Sequence, residues 1–167
     1  MNIRNRKDAG GGGLMDIGCY CISFARLLFG SEPRRVLGIA DLDPVMQTDR
    51  MLSAIMDFGD CVSTFTCSTQ LMPYQRVNII GTEGRIEVMI PVNAPPDKET
   101  RIVLFSKTGE EEFIFPPEDQ YTSQVDAFCM SVLNHKELPF SLEDSIGNMK
   151  VIESIFQSSQ HAGWVNL

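Results

Sequence analysis

Several features that would assign a protein to a class at once are missing from this 167-residue sequence. Its two histidines, His135 and His161, have no Cys or His neighbour at ligand spacing, so we predict no metal site. Its five cysteines form no Cys-x-x-Cys pair, which argues against zinc and redox motifs and favours small core residues. No uncharged run approaches the roughly 20 residues of a membrane span, and residues 1–9 lack the apolar core of a secretory signal. These absences predict a cytoplasmic protein with no membrane partner.

Basic residues are also scarce. The 14 Lys and Arg residues stand against 22 Asp and Glu residues, which gives a formal charge of −8. Because Lys and Arg supply most of the affinity for phosphate backbones, we expect no nucleic-acid partner. The remaining composition, 43 % hydrophobic and 22 % charged residues, is typical of a folded globular chain of about one domain.

The four consecutive glycines Gly10–Gly13 do not form a nucleotide-binding motif. A dinucleotide fingerprint needs Gly-x-Gly-x-x-Gly after a strand, but the third glycine position is Met15 in one register and Asp16 in the next. The charged residues before the glycines are not strand-like, and the Gly-Lys-Ser/Thr ending of a P-loop is absent. The glycines instead precede a predicted helix.

That helix is predicted from Leu14 until Gly30, where a left-handed cap is expected and Pro33 follows. Apolar residues recur at three-and-four spacing and are predicted to face inward: Leu14, Ile17, Cys21, Phe24 and Leu28.

The middle of the sequence reads as about six short strands joined by tight turns. Glycine-containing turns fall at 58–61, 81–84 and 108–109, between β-branched and aromatic runs. No helical pattern is interleaved, which favours antiparallel pairing. Thr64, Thr66 and Ser68 share one strand face, and this hydroxyl-rich face could pair with another surface.

The last third returns to helical spacing. Val125, Phe128, Cys129, Val132 and Leu133 mark one amphipathic helix. Ser141 and Asp144 form a capping signal for a second helix, whose inward residues are predicted to be Ile146, Met149, Ile152 and Phe156, and a WVNL tail follows as an edge strand. The whole pattern predicts an α+β fold with an open, predominantly antiparallel sheet and helices on one face.

Asp16 and Tyr20 are the candidate site residues of the first helix. With Ser23 they form a stripe beside the apolar face, which places them at the rim of whatever the helix packs against. An aspartate in a first helical turn can simply offset the helix dipole, and a tyrosine can simply half-bury its ring. Alternatively, the carboxylate and the phenol form a proton-handling pair, for which the phenol needs a nearby cation.

Three stretches carry a family resemblance: Asn2–Arg4 with GGGGLMDIGCYCIS, then NIIGTEGRIEV, then the closing helix and tail from Phe140. Together they resemble the C-terminal domain of the Gfo/Idh/MocA oxidoreductase family, in its dihydrodiol and sugar dehydrogenase branch. The resemblance implies a dihydrodipicolinate reductase-like fold and a single substrate-binding and dimerisation domain over residues 1–167. It also implies a separate N-terminal Rossmann domain outside this chain.

The same resemblance implies the chemistry. Asp16 and Tyr20 would be catalytic residues beside NAD or NADP, Gly11, Gly12 and Gly13 would let the cofactor approach, and Arg4 would contact the substrate. A lysine of the Rossmann domain would complete the acid–base group, and hydride would pass between nicotinamide and a sugar, polyol or dihydrodiol. The sheet face would join two copies of the chain. The 167 residues alone are then expected to be inactive, and the alternative is a non-catalytic binding module derived from the family.

Overall fold

The computed structural model describes residues 2–167 and divides the chain into two compact units. The first unit comprises the chain up to Met72 together with Phe140–Leu167, and the second comprises Pro73–Pro139. The strands are β1 Arg35–Leu42, β2 Asp49–Asp57, β3 Val62–Ser68, β4 Val77–Ile80, β5 Gly84–Val88, β6 Thr100–Ser106, β7 Gly109–Phe115 and β8 Val165–Asn166. The α-helices are α1 Cys19–Phe29, α2 Gln120–Leu133 and α3 Leu142–His161, with short helical turns at Ile3–Asn5, Lys7–Ala9 and Leu14–Gly18.

The first unit is built on a four-stranded antiparallel sheet in the order β3-β2-β1-β8, called the first sheet below. Helices α1 and α3 pack against its inner face, and α3 approaches β1 closely at Gly38, whose N–H donates to Ser158 Oγ at 2.9 Å. The core between them contains Leu14, Ile22, Val36, Leu52, Met56, Ile152 and Ile155. The predicted α+β class, antiparallel pairing and C-terminal edge strand are confirmed.

The second unit contains another four-stranded antiparallel sheet, in the order β4-β5-β6-β7, together with α2. The strands therefore form two sheets of four, whereas the sequence predicts one open sheet. The predicted turn at 81–84 is confirmed by the Gly81 N–H, which donates to the Gly84 carbonyl at 2.9 Å. Helix α2 forms as predicted, with Asp119 as its N-cap, but its apolar stripe is exposed, including Val125, Phe128 and Leu133.

The predicted first helix is confirmed, but it begins with a π-helical turn at Leu14–Gly18, called the π-turn below. Its hydrogen bond runs from the Cys19 N–H to the Leu14 carbonyl, five residues back. Because a π-turn winds more residues per turn, every later residue is rotated by about one position. Ile22 and Ala25 are therefore buried, whereas Leu28, predicted to face inward, is 44 % exposed.

The predicted inner face of α3 is wrong in its first half. Ile146 and Met149 are exposed, while the buried residues are Val151, Ile152 and Ile155. The reason is position along the helix: the close contacts with β1 come from the later turns, where Ile155 meets Gly38. The first turns of α3 lie instead beside α1.

The prediction that the cysteines are core residues is confirmed only in part. Cys67 is a core residue and Cys19 and Cys21 are half-buried, but Cys61 and Cys129 are exposed, so the cysteines are not all core residues.

By length and composition, the segment Lys7–Phe29 is apolar enough to cross a membrane, as core helices also can be. The absence of a membrane partner stays a prediction.

Candidate functional site

The site begins where the N-terminal turns fold back over the glycine segment, Gly10–Gly13. The Gly11 N–H donates to the Arg6 carbonyl at 2.8 Å, and the Gly12 N–H donates to the Arg4 carbonyl at 2.9 Å. These two bonds hold the first turn beside the start of the π-turn. As a result Arg4 Nε donates to Asp16 Oδ1 at 2.7 Å, an ion pair between residues 12 positions apart. The structure thus joins the predicted substrate-contacting residue to one of the predicted catalytic residues.

The glycines are required by contacts within the chain itself. A Cβ at Gly11 would collide with the Arg4 carbonyl, and a Cβ at Gly12 would collide with the Asp49 carboxylate. Gly12 also has φ of 128°, in the region that favours glycine. On these sides the space that a side chain would take is filled by Arg4 and Asp49. Contact of Gly11, Gly12 and Gly13 with a cofactor stays a prediction, and their small size no longer argues for it.

The π-turn sets the direction of the two predicted catalytic side chains. Its last residue, Gly18, lies against the sheet, since a Cβ there would come within 3.0 Å of Cys67 Sγ and 3.3 Å of Phe65. With that side packed inward, Asp16 is partly exposed and Tyr20 is 51 % exposed. Single π-turns inside α-helices occur frequently at functional sites. The predicted rim position of both side chains is therefore what the structure shows, and we call this surface the Asp16–Tyr20 edge.

Asp49 is a site residue that the sequence analysis missed. It is the first residue of β2 and only 2 % exposed, and its Oδ2 accepts the Leu14 N–H at 2.6 Å. Burial raises the pKa of the Asp49 carboxyl, while the N–H groups of Leu14 and Gly13 act in the opposite direction. The sequence carries no signal for its burial: Asp49 is out of phase with the buried alternation of Leu52, Ala54 and Met56, because the pairing of β1 with β2 shifts register between Asp41 and Leu42.

Two shallow grooves lie between α1 and α3 next to this edge. One is lined by Met15, Cys19 and Ser23 of the first helix and by residues of α3 including Asn148. The other contains Arg26, which is buried and pairs with Glu32 at 2.6 Å and Asp144 at 3.1 Å. The Arg26 guanidinium lowers the pKa of Glu32. Neither groove is lined by Asp16 or Tyr20, whereas Ser23, predicted to share a stripe with them, lines both.

The Asp16–Tyr20 edge combines groups suited to proton handling. A carboxylate held by a guanidinium can orient a hydroxyl, and a phenol can donate or accept a proton at the reacting oxygen. Among residues 2–167, no cluster of three or more His, Cys, Asp or Glu side chains could hold a metal ion.

Comparison with known proteins identifies the relatives of the chain. Residues 1–87 match the GFO/IDH/MocA C-terminal domain model. An uncharacterized oxidoreductase, ORF334 of Rhizobium meliloti, is 38 % identical over 98 % of this chain and 51 % of its own length. The D-xylose 1-dehydrogenase (NADP(+)) 2 of Haloferax volcanii is 28 % identical over 99 % of this chain and 51 % of its own length.

A solved structure has the same fold. The aldose-aldose oxidoreductase from Caulobacter crescentus, complexed with glycerol, superposes with a TM-score of 0.87 at 21 % identity. It covers 99 % of this chain, which matches 51 % of that protein. The chain therefore spans about half the length of these relatives, and the resemblance found in its sequence motifs is confirmed.

Proposed function

This chain belongs to the GFO/IDH/MocA family, and on that premise we propose that it is the substrate-binding and dimerisation half of an NAD(P)-dependent oxidoreductase. The substrate class is a sugar, a polyol or a dihydrodiol, whose carbinol carbon exchanges hydride with the nicotinamide. Support comes from a relative, the D-xylose dehydrogenase of Haloferax volcanii, which is named for NADP(+).

The observation that carries the proposal is the Arg4–Asp16 ion pair in the turn that leads to the exposed Tyr20. A carboxylate that served only to offset the helix dipole would need no arginine brought back from 12 residues earlier. The 51 % exposure of Tyr20 leaves part of its side chain accessible to a ligand, although a half-buried structural tyrosine would be exposed to the same extent. Both features suit groups that face a ligand.

The cofactor, bound mainly by a Rossmann domain outside this chain, would supply the hydride-accepting and hydride-donating ring. Tyr20 would pass the proton to or from the substrate hydroxyl through its phenol oxygen. Asp16 would orient the substrate by accepting a hydrogen bond from a neighbouring hydroxyl, since the single proton of the reacting hydroxyl goes to Tyr20. Arg4 would hold the Asp16 carboxylate in place through its Nε–H hydrogen bond.

The outer face of the first sheet suits the proposed dimerisation. Ile39, Ser53 and Thr66 lie in one row across β1, β2 and β3, with a 2.8 Å hydrogen bond between the two hydroxyls. Ile39 is 73 % exposed. An exposed isoleucine next to a hydroxyl pair that is already hydrogen-bonded can pack against a second copy without breaking that bond.

A chimera tests the proposed activity. The chain is joined to the part of the Rhizobium meliloti oxidoreductase that it does not match, and NAD⁺ and NADP⁺ are supplied with a panel of sugars and polyols including D-xylose. The expected result is cofactor reduction by the chimera and none by the 167-residue chain alone. Cofactor binding, followed by nucleotide fluorescence, shows that the added domain is folded.

Two results would contradict the proposal. Cofactor turnover by the chain alone would show that it contains a complete site. A chimera that binds NADPH but turns over none of the panel would favour the non-catalytic module instead.

A further inference from the structure

Asp49 is a buried carboxylate with no part in the chemistry proposed above. It begins β2, 35 residues after Leu14, and its carboxylate lies against the glycine segment. It accepts a hydrogen bond from the Leu14 N–H at 2.6 Å and lies where a Cβ of Gly12 or Gly13 would point. A side chain of β2 thus holds the point at which the helix begins.

The glycine segment is held between two fixed partners. On one side the Arg4 carbonyl accepts the Gly12 N–H at 2.9 Å and lies against Gly11. On the other side lies the Asp49 carboxylate. The Asp16 N–H bonds to the Gly12 carbonyl at 3.1 Å, so Asp16 follows directly from the clamped residue.

We infer that Asp49 is a positioning residue for the Asp16–Tyr20 edge: it anchors the start of the π-turn and thereby sets where both side chains point. The inference rests on the proposed function for its effect on catalysis, whereas the anchoring itself concerns this chain alone. Without the anchor, Gly10–Gly13 would be free to move, because glycine has the widest choice of backbone conformations. The Arg4–Asp16 pair would then lose its fixed geometry.

A carboxylate of this length is the group that the site needs. Both of its oxygens accept hydrogen bonds and neither donates, so it suits neighbouring N–H groups. An asparagine Oδ1 can still accept the Leu14 N–H, but the acceptor loses its charge and the new NH₂ group is buried without an acceptor of its own. A glutamate would place an extra methylene where Gly12 already leaves no room.

Hydrogen exchange tests the anchoring in the 167-residue chain. In Asp49→Asn, the Leu14 amide is expected to exchange at least about tenfold faster, in line with the loss of a hydrogen bond to a charged acceptor. The Ile152 amide in α3 is expected to keep its wild-type rate. Asp57→Asn is the matched control, since Asp57 ends the same strand and pairs with Arg35 at 2.7 Å, away from the site.

Kinetics of the chimera test the effect on the site. Asp49→Asn is expected to lower kcat about ten- to a hundredfold while KM changes less than about threefold, because misplaced groups lose transition-state contacts. Asp57→Asn is expected to keep kcat within about twofold. If Asp49→Asn does not fold, Gly12→Ala is the second variant, because its methyl group would collide with the Asp49 carboxylate. It is expected to give the same changes in Leu14 exchange and in kcat.

The outcomes separate this inference from the proposed function. An unchanged Leu14 exchange rate in a folded Asp49→Asn chain overturns the anchoring, whatever the chimera does. Faster exchange together with an unchanged kcat overturns the positioning role. If Leu14 exchanges faster in Asp49→Asn but the wild-type chimera is inactive, the anchoring is supported and only the proposed function is contradicted.

Discussion

A guanidinium beside Asp16 gives that carboxylate a fixed direction at the surface of the protein. Arg4 reaches it from an N-terminal turn that backbone hydrogen bonds hold against Gly12. Asp16, Tyr20 and Arg4 can be predicted from the sequence as candidates, but the pairing of Arg4 with Asp16 cannot, because it depends on how the glycines fold back. The role of Asp49 could not be predicted either, because Asp49 reaches the site only through the register of β2.

The cysteine thiols give a prediction at the residue scale. Burial raises the pKa of Cys21 to about 11 and that of Cys67 to about 12, so both stay protonated and unreactive near neutral pH. Cys61 and Cys129 are exposed. At about pH 8, a thiol-disulfide reagent is expected to titrate Cys61 and Cys129 rapidly in the native chain, and Cys21 and Cys67 only after denaturation.

Cys61→Ser is the control for the thiol titration and should remove one rapid equivalent. Rapid modification of Cys67 in the native chain would contradict the burial described here.

At the scale of elements, the π-turn explains where sequence reasoning about the first helix failed. The helix, its Gly30 cap and its length follow from local patterning, since spacing and capping act within a few residues. The buried face does not, because a regular 3.6-residue period carries no sign of the extra residue in the π-turn. That extra residue depends on tertiary contacts, with Asp49 at one end and Cys67 and Phe65 at the other.

Because the buried face of α1 is rotated by about one residue from the predicted face, two alanine substitutions in α1 should lower the free energy of unfolding by different amounts. Ile22→Ala should lower the free energy of unfolding by about 2–5 kcal/mol, because it leaves a cavity in the core. Leu28→Ala should cost less than about 1 kcal/mol, since Leu28 is 44 % exposed. Urea denaturation followed by circular dichroism measures both free energies. A larger loss of stability for Leu28→Ala than for Ile22→Ala would contradict the burial of Ile22 and the exposure of Leu28.

The two units of the molecule differ in how their helices are covered. All 14 residues of α2 lack full burial, whereas α3 has four buried residues in the first unit. The sequence predicted both helices equally well from their periodicity. It could not tell them apart, because periodicity marks an apolar face without showing what covers that face.

The proposed dimer gives a prediction at this scale. Ile39→Arg places a charge in the middle of the outer face of the first sheet and is expected to convert a dimer into a monomer in sedimentation equilibrium. Ile80→Arg is the matched control, since Ile80 is equally exposed but lies in the other sheet. A monomeric wild-type chain, or an Ile39→Arg dimer of unchanged affinity, would argue against this face as the interface.

The most direct test of the central claim is the kcat of Tyr20→Phe in the chimera, measured with the sugar that the wild-type chimera oxidises best. Loss of the phenol oxygen is expected to lower kcat about 10²- to 10⁴-fold with a smaller change in KM, the effect of removing a general acid–base group. Tyr74→Phe, at an exposed tyrosine of the second unit, should leave kcat within about twofold. A Tyr20→Phe chimera with wild-type kcat would contradict the assignment of Asp16 and Tyr20 as the acid–base side of the site.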